Sequence, residues 1–385
     1  FKGRTPAEAD REVAKALFGQ WYEEAMAIRA ASYPYEEIPY LPGVPMWDKL
    51  LKIGMKGIIR EAEGAMERFR ESNENDPEKI YFWQAIIIAC QAVGEFAHRY
   101  ARLARDLASK EHDAARRKEL EEIADICDWV PKNPARTFHE AVQSIRLTHV
   151  ALLMESTRKG ADLGRMDQLL YPYFRKDMEE GRLTLDKASE LLGDFITYVA
   201  RLEQVRGPNA SEVGQATMIN HITLGGVTED GKEVSNELTY LILHILGLLK
   251  YAEPHATLRL HDGTPSWITR KALETNQKVN GVPMYLNDKH ITETIHKKGV
   301  PLEEARDWAV VGCSQPVLPP RGHYKPVYIN AAVPLDLALH NGVSPLTGKK
   351  VGIETGDPRS FKTFDQVFEA YKRQYDFVVR RLLRL

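Results

Sequence analysis

The chain has 385 residues, 43% of them hydrophobic, which is enough apolar material for a large buried core. Its formal net charge of −2 leaves no electrostatic footprint for a nucleic-acid partner or an anionic membrane surface. Apolar runs are short, none approaches the ~20 residues of a membrane span, and no signal-peptide layout opens the chain.

Helical patterns fill the first half. Thr5-Pro-Ala-Glu8 is a capping box with proline at the first helical position, and predicts a helix to about Ala30. Pro34 to Pro45 reads as a proline-rich connector. Periodicity resumes from Trp47 to Phe69, with Leu50, Leu51, Met55, Ile58 and Ile59 near one face. Further helices are predicted at Pro77–Ser109, where Ile86-Ile-Ile-Ala-Cys90 is only a short apolar stretch, at Asp113–Ile126 and at Thr137–Glu155. Another is predicted at Leu185–Val205, behind Thr184 as its cap.

The pattern then changes. Gln215 to Leu224 alternates and ends at Gly225-Gly226. His255 to His261 alternates strictly, with His255, Thr257, Arg259 and His261 on one face and Ala256, Leu258 and Leu260 on the other. Val282 to Asn287 is a third strand. Helices at Ser235–Leu249 and Pro265–Lys278 lie between them, and this alternation predicts an α/β unit with a mainly helical part at 1–206 and the sheet in 207–385. Ser344 to Phe361 is a late loop before a final helix.

One segment carries chemistry. In Ala309-Val-Val-Gly-Cys-Ser-Gln-Pro316 an apolar strand delivers a single thiol, Cys313, into a tight turn. A lone cysteine is usually a buried small hydrophobe, and Cys90 and Cys127, in helical apolar settings, read that way. Cys313 differs in being set at a strand end beside Gly312, as a reactive sulfur in a sheltered site would be. Three scattered cysteines make neither a disulfide framework nor a zinc site, the histidines lack ligand spacing, and reduced thiols point to the cytoplasm.

Six stretches together give a resemblance. They are Pro134-Ala-Arg-Thr-Phe-His-Glu-Ala-Val-Gln143, Gly164-Arg-Met-Asp-Gln-Leu-Leu-Tyr-Pro-Tyr-Phe174, Ile222-Thr-Leu-Gly-Gly-Val-Thr228, Asn236-Glu-Leu-Thr-Tyr-Leu-Ile-Leu243, Leu286-Asn-Asp288 and the Val-Val-Gly-Cys block. In order and spacing the chain resembles the pyruvate formate-lyase-like glycyl radical enzymes along most of its length. The resemblance implies part of a ten-stranded α/β barrel, with the cysteine loop inside. It implies that a glycyl radical, installed by an iron–sulfur radical S-adenosylmethionine activase, makes Cys313 a thiyl that attacks the substrate, and it implies a homodimer. The family's Arg-Val-x-Gly-Tyr loop, which stores the radical, does not occur in these residues. The expectation is therefore a catalytic-domain fragment, inactive alone.

Three departures narrow the subclass. Cys313 is flanked by Gly312 and Ser314, whereas acyl transfer in the family uses two adjacent cysteines. Gln315 stands where the family's dehydratases and amine lyases carry a glutamate base, and an amide takes no proton near neutrality. Lys159 and Gly160 stand where diol-eliminating members have a hydroxyl-binding histidine and serine, and Lys159 with Arg158 suits a carboxylate unless the two are solvated loop charges. Arg321 and His323 after the cysteine loop, and His261 on its strand, are further substrate-binding candidates, while Arg259, Asp167 and Gln168 read as structural. The expected function is radical chemistry on a small organic acid, of C–C lyase or decarboxylase type. The alternatives are radical addition of succinate-synthase type, a C–O or C–N lyase with a relocated base, and a non-catalytic paralogue.

Overall fold

The computed structural model describes residues 43–72, 76–155, 161–202, 220–279, 281–319, 331–345 and 348–382. The helix expected from Thr5 to Ala30, most of the Pro34–Pro45 connector, and the candidates Arg158, Lys159, Arg321 and His323 lie outside the described residues. The chain divides into two compact units, residues 39–325 and residues 1–38 with 326–385.

Among the described residues of the first unit, six helices precede the sheet: α1 (Trp47–Glu71), α2 (Pro77–Lys110), α3 (Ala114–Trp129), α4 (Phe138–Glu155), α5 (Met166–Glu179) and α6 (Leu185–Ala200). Side-chain caps set several starts. Asp76, Asp113 and Thr184 accept hydrogen bonds from Glu78, Arg116 and Lys187 amides and so satisfy donors that a helix start leaves unpaired. Helix α1 is not continuous. Gly54 takes a positive φ of 63°, and the amides of Met55 and Lys56 turn instead to the carbonyls of Pro131 and Lys132. A Cβ at Gly54 would sit 2.5 Å from the Asn133 carbonyl carbon, so only glycine fits this break. Helix α2 is, by length and composition alone, long and apolar enough to cross a membrane, a property that a scan for uninterrupted apolar runs overlooks. Its small residues Ala97, Ala101, Ala104 and Ala108 are buried, with Ala97 and Ala101 packed with Cys127 of α3 and Leu147 of α4.

The sheet is parallel, in the order β1 (His221–Gly225), β2 (His255–Leu260), β3 (Met284–Asn287). Parallel neighbours need crossovers, and these are α7 (Glu237–Leu249) and α8 (Ser266–Val279). Asn236 and Thr239 form a reciprocal capping box at the start of α7. Outside β1, Gly164 makes a parallel bridge to Ile222. One sheet face is apolar: Ile222, Leu224, Ala256 and Leu258 join Leu238, Ile242 and Ile245 of α7 and Ile268 and Ala272 of α8 in one core. The opposite face carries His221, Thr223, His255, Thr257 and Arg259, as strand alternation dictates. After α9 (Asp288–Lys297) and the short α10 (Leu302–Ala305), β4 (Ala309–Val311) and β5 (Gln315–Val317) form an antiparallel hairpin. The second unit holds α11 (Ala332–Leu339) and α12 (Phe364–Leu382), whose Val333, Leu337 and Val378 share a small core with Val351.

Candidate active site

Cys313 sits at the tip of the β4–β5 hairpin. Val311 pairs with Gln315, and Gly312, Cys313 and Ser314 make the three-residue loop. Gly312 opens it with a φ of 56°, the left-handed conformation that a glycine adopts without strain. Ala309, Val310 and Val311, which lead out to the tip, are fully buried, whereas Cys313 is exposed. Cys90 and Cys127 are buried, and burial raises both thiols above their ordinary value.

The hairpin is held by polar side chains of the sheet. Arg259, fully buried, donates from Nη1 to the Trp308 carbonyl at 2.8 Å and from Nη2 to the Arg306 carbonyl at 2.7 Å. Its Nε donates to Asp288 Oδ1 at 2.7 Å, and its guanidinium lies over the Trp308 ring at 4.3 Å. Burial pulls this arginine down to about 10, still well above neutrality, and Asp288 opposes that shift. Further along, Val310 donates its amide to Thr223 Oγ1 at 2.9 Å. At the tip, His221 Nδ1 donates to the Gly312 carbonyl at 2.8 Å, and its Nε2 accepts from the Thr257 hydroxyl at 2.7 Å. These partners fix one neutral tautomer, in keeping with burial that drives His221 down to about 4. The Asp162 carboxylate accepts the Gly312 amide at 3.2 Å and the His221 amide at 2.9 Å.

A second tier lies behind the first. His149 of α4 donates from Nε2 towards the Ala161 carbonyl at 2.9 Å and Asn220 Oδ1 at 3.0 Å, and accepts from the Tyr198 hydroxyl at Nδ1. It therefore ties together the residues that immediately precede Asp162 and His221. The Arg165-Met-Asp-Gln168 stretch pins the turn after β1. Arg165 donates to the carbonyls of Gly225 and Val227, Asp167 accepts the Gly225 amide at 2.8 Å, and Gln168 donates to the Val234 carbonyl. Gly226 has to be glycine there, because a Cβ would lie 2.3 Å from Arg259 Nε.

Gln315 is half-buried beside the tip, and its Oε1 accepts the Ser314 amide at 3.3 Å. His261 is not brought to this end. It follows β2 at the end opposite to His221 and His255, roughly 20 Å along a six-residue strand. Its ring pairs with Glu233 and accepts the Gly263 amide, so it closes the turn there. A cleft of about 840 Å³ lined by Trp47, Leu51, Arg136, Arg165, Tyr173 and Asp307 does not include Cys313 and lies towards the root of the hairpin.

Four residues of the hairpin's surroundings were not singled out from sequence: His221 and Asp162 at the tip, Thr223 along the strand and Glu253 beside His255. His221 and Thr223 were available from the alternation of β1, which puts them on the face opposite Ile222 and Leu224. Asp162 and Glu253 lie outside the strands and have no periodic signal.

The chain that carries this hairpin is similar to known proteins along most of its length. Residues 11–384 fit the family model for pyruvate formate lyase-like proteins. The chain belongs to that family. It is 36% identical over 342 residues to isethionate sulfite-lyase of Oleidesulfovibrio alaskensis, covering 87% of this chain and 41% of that protein. It is 31% identical to trans-4-hydroxy-L-proline dehydratase of Clostridioides difficile, covering 86% of this chain and 43% of that protein. The solved structure of the 1,2-propanediol-dehydrating protein of Roseburia inulinivorans superposes with a TM-score of 0.87 at 29% identity, over 97% of this chain and 47% of that one. The chain thus spans less than half the length of these relatives. The fold is that of the glycyl radical enzyme barrels, and its described strands are a part of such a barrel.

Proposed function

We propose that this chain is the thiyl-bearing part of a glycyl radical lyase that breaks a C–O or C–S bond in a small hydroxylated substrate. The observation that carries the reading is the placement of Cys313 alone on a hairpin tip, with the carbonyl and amide of the preceding Gly312 held by His221 and Asp162. Eliminations are favoured over the decarboxylation expected from sequence because the relatives at 30–36% identity are named as a sulfite-lyase and dehydratases. A named decarboxylase, that of indoleacetate in Tractidigestivibacter scatoligenes, is 29% identical.

The glycyl radical of the family, made by a separate radical S-adenosylmethionine activase, supplies the removal of the Cys313 Sγ hydrogen atom. This chain's residues do the rest. Sulfur takes a hydrogen atom from a hydroxyl-bearing carbon and returns it to the product with little energy difference either way. The rigid hairpin keeps Sγ at one position through both transfers, which is what a near-attack geometry requires. Exclusion of water by the surrounding barrel protects the radical. Arg158 and Lys159, with Arg321 and His323, supply the positive charge for an anionic group on the substrate, and Gln315 in place of a carboxylate avoids repelling it.

The test uses the activated holoenzyme with isethionate, 1,2-propanediol and indoleacetate. Aldehyde together with sulfite or water supports elimination. Carbon dioxide released from indoleacetate, with both alcohols untouched, contradicts it.

A further inference from the structure

Elimination from a hydroxylated radical needs a group that takes the hydroxyl proton, and Gln315 cannot be that group. His255, with Glu253 beside it, lies next to the histidine that holds the cysteine hairpin. His255 is the register partner of His221 on the adjacent strand, and the two rings meet edge to face at 6.1 Å. His221 in turn touches the Gly312 carbonyl, next to Cys313, at 2.8 Å. Both histidines point from the sheet face that carries the hairpin, but they differ in availability. His221 has both ring nitrogens engaged, whereas no described residue hydrogen-bonds to His255 Nδ1 and its side chain is 31% exposed. The other nitrogen, Nε2, faces Glu253 Oε1 at 3.6 Å. Glu253 is 3% exposed and its Oε2 accepts the His255 amide at 3.1 Å, which fixes the carboxyl beside the ring.

We propose that His255, backed by Glu253, is the base that takes the substrate's hydroxyl proton in place of the carboxylate that Gln315 displaces. The proposal rests on the elimination reading and adds a catalytic residue to it. Isethionate loses a hydrogen atom, a proton and sulfite in turn, and its remainder regains the hydrogen atom. The Cys313 thiyl takes one hydrogen atom from the hydroxyl-bearing carbon. His255 Nδ1 takes the hydroxyl proton and becomes imidazolium. The C–S bond breaks and its electron pair leaves with sulfite. The remaining formylmethyl radical takes the hydrogen atom back from Cys313, giving acetaldehyde and the thiyl. Sulfite or solvent removes the proton from His255. Where it is ionised, above about pH 7, Glu253 stabilises the imidazolium, the role an orienting carboxylate has in other histidine bases.

The titrations suit this role. Burial lowers His255 below its ordinary value, so the ring is neutral and able to accept at neutral pH. Burial pushes Glu253 up to about 7, opposed by the amides of His255 and Asn220. Among the described residues, the ionisable groups facing His255 are Glu253 and His221, and the latter stays neutral.

The experiment compares wild type, His255→Gln and Glu253→Gln in the activated holoenzyme, with isethionate, glycerol and 1,2-propanediol as probes in D2O. Two rates are read: aldehyde formation, and deuterium entry at the hydroxyl-bearing carbon through the exchangeable Cys313 S–H. His255→Gln is expected to lose aldehyde formation by about 10²–10⁴-fold while deuterium entry continues. Glu253→Gln keeps an acceptor for the His255 amide, and is expected to slow aldehyde formation above about pH 7, where Glu253 is ionised, and to leave the rate at lower pH closer to wild type. Aldehyde formation within about threefold of wild type in His255→Gln, with an unchanged pH profile, overturns the proposal. Loss of deuterium entry along with aldehyde also overturns it, because the residue then maintains the site's shape. If wild type converts none of the probes, the elimination reading itself falls, and His255 is not the cause.

Discussion

Replacing Arg259 with methionine tests whether the cysteine hairpin is held by the sheet's polar face. The side chain is fully buried and spends its donors on Asp288 and on the carbonyls of Arg306 and Trp308, at 2.7–2.8 Å. Methionine fills similar space but leaves Asp288, 2% exposed, as an unpaired buried charge. Breaking a buried pair from one side costs about 3–5 kcal/mol. At about 1.4 kcal/mol per decade, amides of residues 306–317 should exchange with solvent on the order of 10²–10³-fold faster. Hydrogen-exchange mass spectrometry reads this on the hairpin peptides directly. The double variant Arg259→Met with Asp288→Leu should regain a large part of the loss, because an apolar pair replaces a charged one at little net cost. A loss under about 1 kcal/mol in the single variant, or a double variant no better than the single, would refute the idea that Arg259 anchors the hairpin.

Iodoacetamide should label Cys313 in the native chain and reach Cys90 and Cys127 only on unfolding, because the first is exposed and burial raises the other two thiols. Equal labelling of all three by peptide mass spectrometry would contradict the burial. Urea midpoints should fall as pH drops from about 6.5 towards 4, since His149 and His221 are held neutral down to about 4 when folded, and the unfolded chain binds those protons earlier. Glu253 acts in the opposite sense. Its folded carboxyl keeps a proton up to about 7 that the unfolded one releases near 4.5, so it favours the folded state at acid pH, and Glu253→Gln should steepen the acid loss.

Much of the frame was readable from the residues because it rests on local rules. Thr184 capped α6 where a threonine before an amphipathic run should, and the alternation from His255 to Leu260 put Arg259 and Thr257 on one face as drawn. Leu185–Val205 overran the helix, which ends at Ala200. Helix α5 escaped notice because Pro172 lies within it, and α9 because it begins at Asp288 directly after β3. Strand β5 escaped because Pro316 reads as a breaker, although at a hairpin edge its missing amide costs nothing. The thiol was legible, since glycine beside a cysteine at a strand end is a local signal. Its supports were not. Asp162 and His221 meet Gly312 across 150 and 91 residues of sequence, and only the fold brings them together. His261 shows the converse: strand alternation placed it on the correct face but says nothing of which end of the strand bears the chemistry.

The central claim is that Cys313 carries the radical to the substrate, and one variant tests it most directly. Cys313→Ser in the activated holoenzyme should keep the glycyl radical signal in electron paramagnetic resonance, because that radical is stored elsewhere. It should form no product and wash no deuterium into isethionate or 1,2-propanediol, because an O–H bond is too strong to exchange hydrogen atoms with the glycyl radical. Product formation by Cys313→Ser at a rate near wild type would contradict the account.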